Sequence, residues 1–373
     1  MKLDDSAHSL RLARIRSSLR RSVVHLAVLA VGIAPLLAVS NERGSPISRI
    51  SSSGSASEYW DIVARFESNH SLFARFLITN QGPGDRTAVA TWYLVDPDGM
   101  VVPFRNGRRK SRWTLSPDGA RLEIGSSVLD QRGSVHSLEY DSTKQGIKIH
   151  LRFAPTGPVA STDTGRDSQY AIDLLDIGTP VVGSLWLRGM SEPLAVNGSI
   201  SVTHTWMEAG DSDLALRRIE FSSAAEGDGV YLSVLTEPAG DRHHWLVVKR
   251  DGETVFQTSD FHLEIDTPPR WRKGYPMPAS LRIVGAGIEG SIDAGPLLVE
   301  VSPLEDIPQP FRFLLSFRTR PRRLWALASF DVRFRADPNL PAISLHGSGV
   351  TTVTYLNPLP KSISRSRSEN AGA

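Results

Sequence analysis

Alternating apolar and polar residues form the clearest pattern in this chain. The run Ile147–Phe153 alternates strictly, so one face of a strand would lie on a core and the other would face water. Two further apolar runs, 88–95 and 244–249, are typical of strands, and an Asp-Gly turn follows each of them. The pattern therefore predicts antiparallel strands joined by tight turns.

Helical periodicity is missing from the same region. After residue 58 no segment shows a long 3.6-residue apolar period with capping residues. Roughly eight short strands fall in each half of about 150 residues, which suits a closed antiparallel barrel or a sandwich, because closure removes unpaired strand edges. The predicted fold class is all-β.

The two halves repeat short motifs in the same order. The first copies are Gly84-Asp85-Arg86, Trp92, Gly198-Ser199 and Trp206, and the second copies are Gly240-Asp241-Arg242, Trp245, Gly347-Ser348 and Tyr355. A spacing of roughly 150 residues is too long for a solenoid repeat of about 20 to 50 residues. We predict a tandem duplication of two barrels, at 58–208 and 209–357. Positions that differ between the copies, such as His204 against Val353, are better candidates for chemistry than the shared ones.

The N-terminus has the composition of an export signal. Arginines between residues 11 and 21 precede an apolar run from Val23 to Val39, which ends in small residues. We predict that 1–40 is a signal peptide or an N-terminal membrane anchor, with a buried helix of the fold as the alternative. The protein would then be exported, periplasmic or extracellular, or retained by that anchor. A Ser- and Gly-rich flexible linker at 41–57 and a disordered tail at 358–373 complete the predicted organisation.

The overall charge gives no case for nucleic-acid binding, because the formal net charge is only +2. Basic residues nevertheless cluster ahead of Trp113 and ahead of Trp325. Each cluster is either a solvated hairpin or a surface that docks on anionic lipid headgroups. We expect no nucleic-acid partner, an anionic membrane surface as a second partner beside a hydrophobic small molecule, and a monomer.

Three motifs are excluded by their context. Gly285-Ala286-Gly287-Ile288-Glu289-Gly290 matches a dinucleotide fingerprint, but Gly295-Pro296 would break the helix that must follow, so a glycine-rich turn is the better interpretation. His243 and His244 are adjacent and would face opposite sides of a strand. The chain has no cysteine and no Gly-x-Ser-x-Gly elbow. We therefore expect no metal and no cofactor.

Motifs across 58–357 resemble the tandem lipocalin-like proteins. They are the opening Glu58-Tyr59-Trp60-Asp61, the turn at 80–85 before a Trp-containing strand, and the closing stretch from Gly198 to His204-Thr205-Trp206. That group includes carotenoid 1,2-hydratases, some cyclising enzymes of natural-product pathways and non-enzymatic lipid-handling members. The resemblance implies two lipocalin-like barrels. The chain departs from the pattern at Thr203, where a carboxylate is expected before the histidine, which counts against a simple transfer of activity.

Candidate site residues follow from the chemistry of an apolar ligand. Protonation of an alkene requires a strong acid, and aromatic faces would shelter the resulting cation. The acid candidates are Asp61, Asp173 and Glu208, and the candidate ligand-binding residues are Trp60, Trp92, His204 and Trp206. On a strand, His204 and Trp206 point to the same face. If that face is the barrel interior they could contact a ligand, and if it is the contact between the halves, His204 is a structural residue.

Three functions remain open from the sequence. The leading hypothesis is an exported lipocalin-like protein that binds a lipid or an isoprenoid. The alternative is a cofactor-independent hydratase, isomerase or cyclase of the carotenoid 1,2-hydratase type, and the third is an adaptor. An interior pocket that contains a buried carboxylate beside aromatic faces would favour the enzyme, and a uniformly apolar pocket would favour the binding protein. Two barrels packed solid with side chains would exclude both and leave the adaptor.

Overall fold

The structure is a computed structural model in which 67% of the described residues are strand and 3% are helix. It describes residues 47–80, 86–155, 160–163, 170–223, 228–266, 275–306, 313, 316, 319–336, 339 and 341–357. The predicted leader 1–40 and tail 358–373 lie outside these residues. No helix in the described part of the chain is long and apolar enough to cross a membrane.

Two antiparallel sheets each curl into a nearly closed barrel, which confirms the predicted tandem of all-β barrels. The strands of barrel 1 are β1 Ser57–Phe66, β2 Ser71–Thr79, β3 Thr87–Val95, β4 Val101–Arg108, β5 Trp113–Leu115, β6 Arg121–Ile124, β7 Ser127–Asp130, β8 His136–Ser142, β9 Ile147–Phe153, β10 Ala160–Asp163, β11 Tyr170–Trp186 and β12 Leu194–Met207. Those of barrel 2 are β13 Arg217–Ser223, β14 Asp228–Thr236, β15 Arg242–Arg250, β16 Glu253–Thr258, β17 Phe261–Asp266, β18 Ser280–Gly285, β19 Ile288–Val301, β20 Arg322–Phe334 and β21 Ile343–Tyr355. Helical turns occur at Lys110–Arg112, Asp211–Leu214 and Pro303–Asp306.

The order of the strands shows the duplication directly. Barrel 1 runs β4-β3-β2-β1-β12-β11-β9-β8-β7-β6-β5, and barrel 2 runs β16-β15-β14-β13-β21-β20-β19-β18-β17. In both, the first strand of the unit pairs with the last one, so the chain closes on itself. Among the described residues barrel 1 has three additional strands, namely β5 and β6 at its edge and β10, which pairs with β11.

The glycine-rich motif is a hairpin turn, as predicted. Gly285 ends β18 and pairs with Ile288, the first residue of β19. Gly287 has a φ of 76°, which favours glycine because a side chain there would be strained. The motif therefore reverses the chain, and a strand follows it where a nucleotide site would need a helix.

One shared motif of the two halves is misleading. Trp92 lies in the core of barrel 1, whereas Trp245 lies outside barrel 2, in the apolar cluster between the barrels. Side chains alternate between the two faces of a strand. When the sequence alignment of two strands differs from their structural alignment by an odd number of residues, two similar residues lie on opposite faces. The two tryptophans are therefore similar in sequence context but not equivalent in structure.

A second pair of repeated residues, Gly198 and Gly347, is not equivalent in the structure, where the true counterpart of Gly198 lies two residues further along the chain. A Cβ at Gly198 would lie 2.0 Å from the carbonyl oxygen of Arg65, and a Cβ at Gly349 would lie 2.5 Å from that of Ser222. Gly349 thus makes the close strand approach that the sequence comparison gave to Gly347. His204 lies six residues after Gly198, and Tyr355 lies six residues after Gly349. Tyr355 is therefore the structural equivalent of His204, whereas the sequence comparison paired His204 with Val353.

Each barrel has its own apolar interior, and the two barrels pack through their outer faces. One contact cluster contains Tyr59, Tyr170, Tyr231 and Trp245, and a second contains Phe73, Val95, Val299, Trp325 and Val350. The strands β1, β11 and β12 of barrel 1 are therefore buried on both faces. Their inner face points into barrel 1 and their outer face points toward barrel 2.

Candidate functional site

Three neighbouring strands bring the central site residues together. In the sheet of barrel 1, β12 lies between β1 and β11. His204 on β12 is directly opposite Trp60 on β1 and Asp173 on β11. Glu58 precedes Trp60 by two residues and therefore shares its inward face.

The imidazole of His204 lies among an indole and two carboxyl groups. It stacks on Trp60 with 4.4 Å between ring centroids and an interplanar angle of 3°. Its Nε2 is 3.3 Å from Glu58 Oε2, and its Nδ1 is 4.0 Å from Asp173 Oδ2. His204 and Glu58 are 0% exposed, and Trp60 and Asp173 are 1% exposed. We call these four residues, with Trp206, the acid cluster.

Burying two carboxyl groups in a barrel is energetically unfavourable unless they are paired and hydrogen-bonded. An apolar interior would serve the fold equally well at these positions. A costly polar arrangement that the fold does not need is a reason to expect a functional role. The cluster can bind a cation between its carboxyl groups and aromatic faces, and it can pass a proton between carboxyl and imidazole groups.

Residues 47–56 cover the acid cluster, and we call this segment the strap. The backbone N–H of Arg49 donates to Glu58 Oε2 over 2.7 Å, and the hydroxyl of Ser48 donates to the same carboxyl group. Arg49 Nη2 is 3.0 Å from Asp173 Oδ2, and its guanidinium lies 5.8 Å from the centre of the Trp206 ring. The strap belongs to the predicted linker 41–57, and in the structure it packs on the end of barrel 1.

The structure places the predicted residues unequally. Asp173, Trp60, His204 and Trp206 meet in the acid cluster. Glu208 lies at its margin, where its Oε2 accepts a hydrogen bond of 2.6 Å from Ser51 of the strap. The convergence of these residues could not be predicted from spacing alone, because β1 lies more than 100 residues before β11 and β12 in the sequence.

Trp92 is not part of the acid cluster. Its ring lies 5.6 Å from the rings of Phe76, Phe104 and Tyr140, and its Nε1 donates to Ser127 Oγ over 3.0 Å. These contacts fill the core of barrel 1. Trp92 therefore packs as part of the core of barrel 1.

Asp61 is also outside the cluster, because it follows Trp60 and points to the opposite face. It accepts a 2.5 Å hydrogen bond from Arg75 Nε, and Arg218 and Arg323 each lie 3.5 Å from its carboxylate. Burial alone would raise the pKa of Asp61, but the charges of Arg75, Arg323 and Arg218 outweigh it and hold the pKa well below 3.8. Asp61 is thus the ionised centre of a charge network between the barrels and a poor proton donor.

The space between the barrels is small and partly polar. One cavity of about 40 Å³ is lined by Asp61, Glu220 and Arg323 together with apolar residues, and another of about 20 Å³ lies beside Arg218. A water molecule needs about 10–15 Å³ of such volume, so the cavities fit a few water molecules. Burial and the neighbouring Arg75 lower the pKa of Arg323 to about 10. These two cavities therefore belong to an ionic contact with room for water, and they are too small for a lipid.

Barrel 2 does not reproduce the acid cluster. Tyr355, six residues after the close-approach glycine, is opposite Arg217 on β13 and Arg322 on β20. Its hydroxyl donates to the carbonyl oxygen of Pro276. Arginines thus replace the indole and the carboxyl group that flank His204, so the two barrels differ in charge at this point.

Sequence reasoning missed Glu58 and Arg49. Glu58 could have been found, because it stands two residues before Trp60 on a predicted strand and therefore shares its face. Arg49 had no such signal, since it lies in a stretch without any regular period. Among the described residues no group of three or more histidines, aspartates or glutamates is placed to hold a metal ion.

Comparison with known proteins found similarity to solved structures but no match to a sequence family or to a curated protein. No family model matches the chain, and no curated protein matches it. The solved structures that match include a protein assigned as AttH from Nitrosomonas europaea, with a TM-score of 0.60 and 13% identity over 81% of this chain and 93% of that one. CghA with Sch210972 matches with a TM-score of 0.57 and 13% identity, over 85% and 96% of the two chains. Kievitone hydratase from Nectria haematococca matches with a TM-score of 0.54 and 11% identity, over 84% and 93%.

At these identities the likeness concerns the fold alone. It extends over nearly the whole length of the matched proteins, so both barrels and their order are shared with them. The chain therefore has the tandem-barrel architecture of proteins that include a hydratase.

Proposed function

We propose that barrel 1 performs cofactor-independent acid–base chemistry on an apolar, unsaturated small molecule. The observation that supports this function is the acid cluster. It combines buried carboxyl groups, an imidazole and aromatic faces at one end of an otherwise apolar barrel. A purely binding barrel would have no need of the two buried carboxyl groups, and they favour the hydratase or isomerase hypothesis over the binding one.

The chemistry follows from the residues present. A carboxyl group of Glu58 or Asp173 gives its proton to one carbon of an alkene, and the other carbon becomes a cation. The indole faces of Trp60 and Trp206 stabilise that cation. Addition of water and loss of its proton to the carboxylate, through His204, yields an alcohol and restores the acid. Loss of a neighbouring carbon-bound proton instead yields an isomerised alkene.

The second candidate function is binding without turnover. The side chains of barrel 1 below the acid cluster form an apolar core, so a ligand that enters there would have hydrocarbon character. The matched structures are consistent with both functions, since one is named as a hydratase and another was solved with a small molecule. The two candidates differ in whether a proton reaches carbon.

Deuterium incorporation separates the candidates. The protein is incubated in D₂O with a panel of acyclic isoprenoid hydrocarbons in detergent micelles, and the recovered molecules are analysed by mass spectrometry. We expect carbon-bound deuterium, with or without added water, from the unaltered protein. Glu58→Gln and Asp173→Asn should each lower the rate by at least about 100-fold, since general acid–base groups contribute roughly that much.

The matched control is Glu289→Gln, because Glu289 is exposed on β19 of barrel 2, where it pairs with Arg333, and it does not belong to the acid cluster. It should leave the rate unchanged. Tight binding of a hydrocarbon with no carbon-bound deuterium would support the binding candidate. Absence of both binding and exchange would contradict the proposal and favour an adaptor.

A further inference from the structure

The strap seals the acid cluster through single contacts rather than through a strand ladder. Ser48 N donates to Gly119 O over 3.3 Å, and Asn80 Nδ2 donates to Ser51 O and Ser53 O over 3.0 and 2.7 Å. Ile50 packs against the core of barrel 1. Segments with few buried apolar contacts and no ladder open at a lower free energy than core strands. The strap is therefore held to this end of the barrel by side-chain and turn contacts, such as those of Ser51 and Ser55 with Glu208, whereas the neighbouring strands are held by ladders.

Arg49 fills a specific place beneath the strap. Its guanidinium is paired with Asp173, its backbone is bonded to Glu58, and its charge lies over the face of Trp206. Only 11% of its side chain is exposed. The carboxyl group of Asp173 and the indole of Trp206 around one buried guanidinium are features by which proteins recognise organic cations. The geometry defines a cation subsite that this chain occupies with its own side chain.

An empty subsite would be unfavourable, because the carboxyl groups would stay buried without a countercharge. A molecule that displaces the strap restores the countercharge if it brings a positive charge or develops one, and otherwise a carboxyl group must take up a proton. A hydrocarbon that becomes a carbocation meets this requirement, and so does an apolar molecule with a guanidinium or ammonium group. The negative charge and the aromatic face disfavour an anionic head group such as a carboxylate or a phosphate.

We infer that the strap is an exchangeable internal occupant, and that the subsite under Arg49 binds the positive charge of the ligand. This inference rests on the proposed function only in that it concerns the same acid cluster. Binding of a stable cation requires no turnover. A failure to observe carbon-bound deuterium would thus leave the inference open to its own test.

The test uses Arg49→Ala and hexylguanidinium as the probe, with binding measured by calorimetry and by NMR of the His204 ring. The variant should bind hexylguanidinium saturably, and at least about 10-fold more tightly than the unaltered protein, in which the probe must compete with Arg49. Hexylurea, which has the same shape but no charge, should bind at least about 10-fold more weakly to the variant. Asp173→Asn on the Arg49→Ala background should abolish the preference for the charged probe.

Arg112→Ala is the matched control, because Arg112 is an exposed arginine of barrel 1 outside the strap. It should bind both probes as the unaltered protein does. Equal affinity of the Arg49→Ala variant for hexylguanidinium and hexylurea would overturn the inference. So would a charge preference that persists after Asp173→Asn.

Hydrogen exchange tests the strap in the unaltered protein and does not depend on the folding of any variant. The amide of Arg49, which is bonded to Glu58, should exchange by local opening, at a rate that is insensitive to low urea. Amides in the middle of β1 should exchange far more slowly. Exchange of the Arg49 amide only by global unfolding would show that the strap is a fixed part of the barrel and would overturn the inference.

Discussion

Replacement of Asp61 by Asn tests the role of the charge network between the barrels. The change keeps the shape of the side chain but removes the negative charge that Arg75, Arg218 and Arg323 share. Breaking a buried ion pair on one side costs about 3–5 kcal/mol, because the remaining charge stays buried without a partner. Since 20% of the Asp61 side chain is exposed, we expect about 3 kcal/mol, at the lower end of that range.

Urea unfolding measures this loss. A value of about 3 kcal/mol corresponds to an approximately 100-fold change in the unfolding equilibrium constant. Asp98→Asn is the control, since Asp98 is exposed in the turn after β3 and should change stability by less than about 0.5 kcal/mol. Deuterium transfer per folded molecule should not change in either variant. A loss of turnover in Asp61→Asn with unchanged stability would refute the scaffold role and return Asp61 to the catalytic candidates.

The dependence on pH provides a second check on Asp61. The folded-state pKa of Asp61 lies below the ordinary value of 3.8, so the unfolded state binds its proton first as the pH falls. The stabilisation by Asp61 is therefore complete above about pH 4 to 5 and is lost as the pH falls toward the folded-state pKa. The difference in stability between the unaltered protein and Asp61→Asn should be constant near neutral pH and should shrink in acid. A difference that grows in acid would contradict the assigned direction.

Three further predictions concern the scaffold and the surface. Gly198→Ala should destabilise barrel 1 by several kcal/mol in urea unfolding, since its Cβ would lie 2.0 Å from a carbonyl oxygen. Gly54→Ala is the control and should be nearly neutral, because a Cβ at Gly54 would have no other atom within 4 Å. Burial lowers the pKa of Lys249, so the unfolding free energy of the unaltered protein relative to that of Lys249→Met should increase as the pH rises toward 10.5; a difference that does not depend on pH would contradict it. Charge reversal across the basic stretch 108–112 should weaken association with anionic vesicles at low salt in a sedimentation assay, and unchanged association would remove membrane docking.

Periodicity identified many of the local elements. The strand predicted at Ile147–Phe153 is β9, with the same bounds. The runs 88–95 and 244–249 lie in β3 and β15, and the Gly285–Gly290 motif is a turn followed by a strand. These features are local, because the alternation of side chains and the φ preference of glycine depend on a few neighbouring residues.

The alternation of side chains along β1 also indicates which residues share the face of Trp60. Trp60 and Asp61 are adjacent on one strand, so only one of them can point into the barrel. Glu58 shares the face of Trp60, and it is Glu58 that meets His204. The same rule explains the two tryptophans of the repeat, where an odd shift in alignment places Trp92 inside barrel 1 and Trp245 outside barrel 2.

The sequence by itself determined that the chain is all-β, that it is built from two copies of one barrel, and which face each strand residue shares with its neighbours. Only the tertiary structure decided which face is the interior, that β1, β11 and β12 are adjacent, and that the strap lies across them. The physical reason is that strand pairing joins residues more than a hundred positions apart, such as Glu58 and His204. Local propensities depend on a few neighbouring residues and do not specify such pairing. It forms only when the whole sheet assembles.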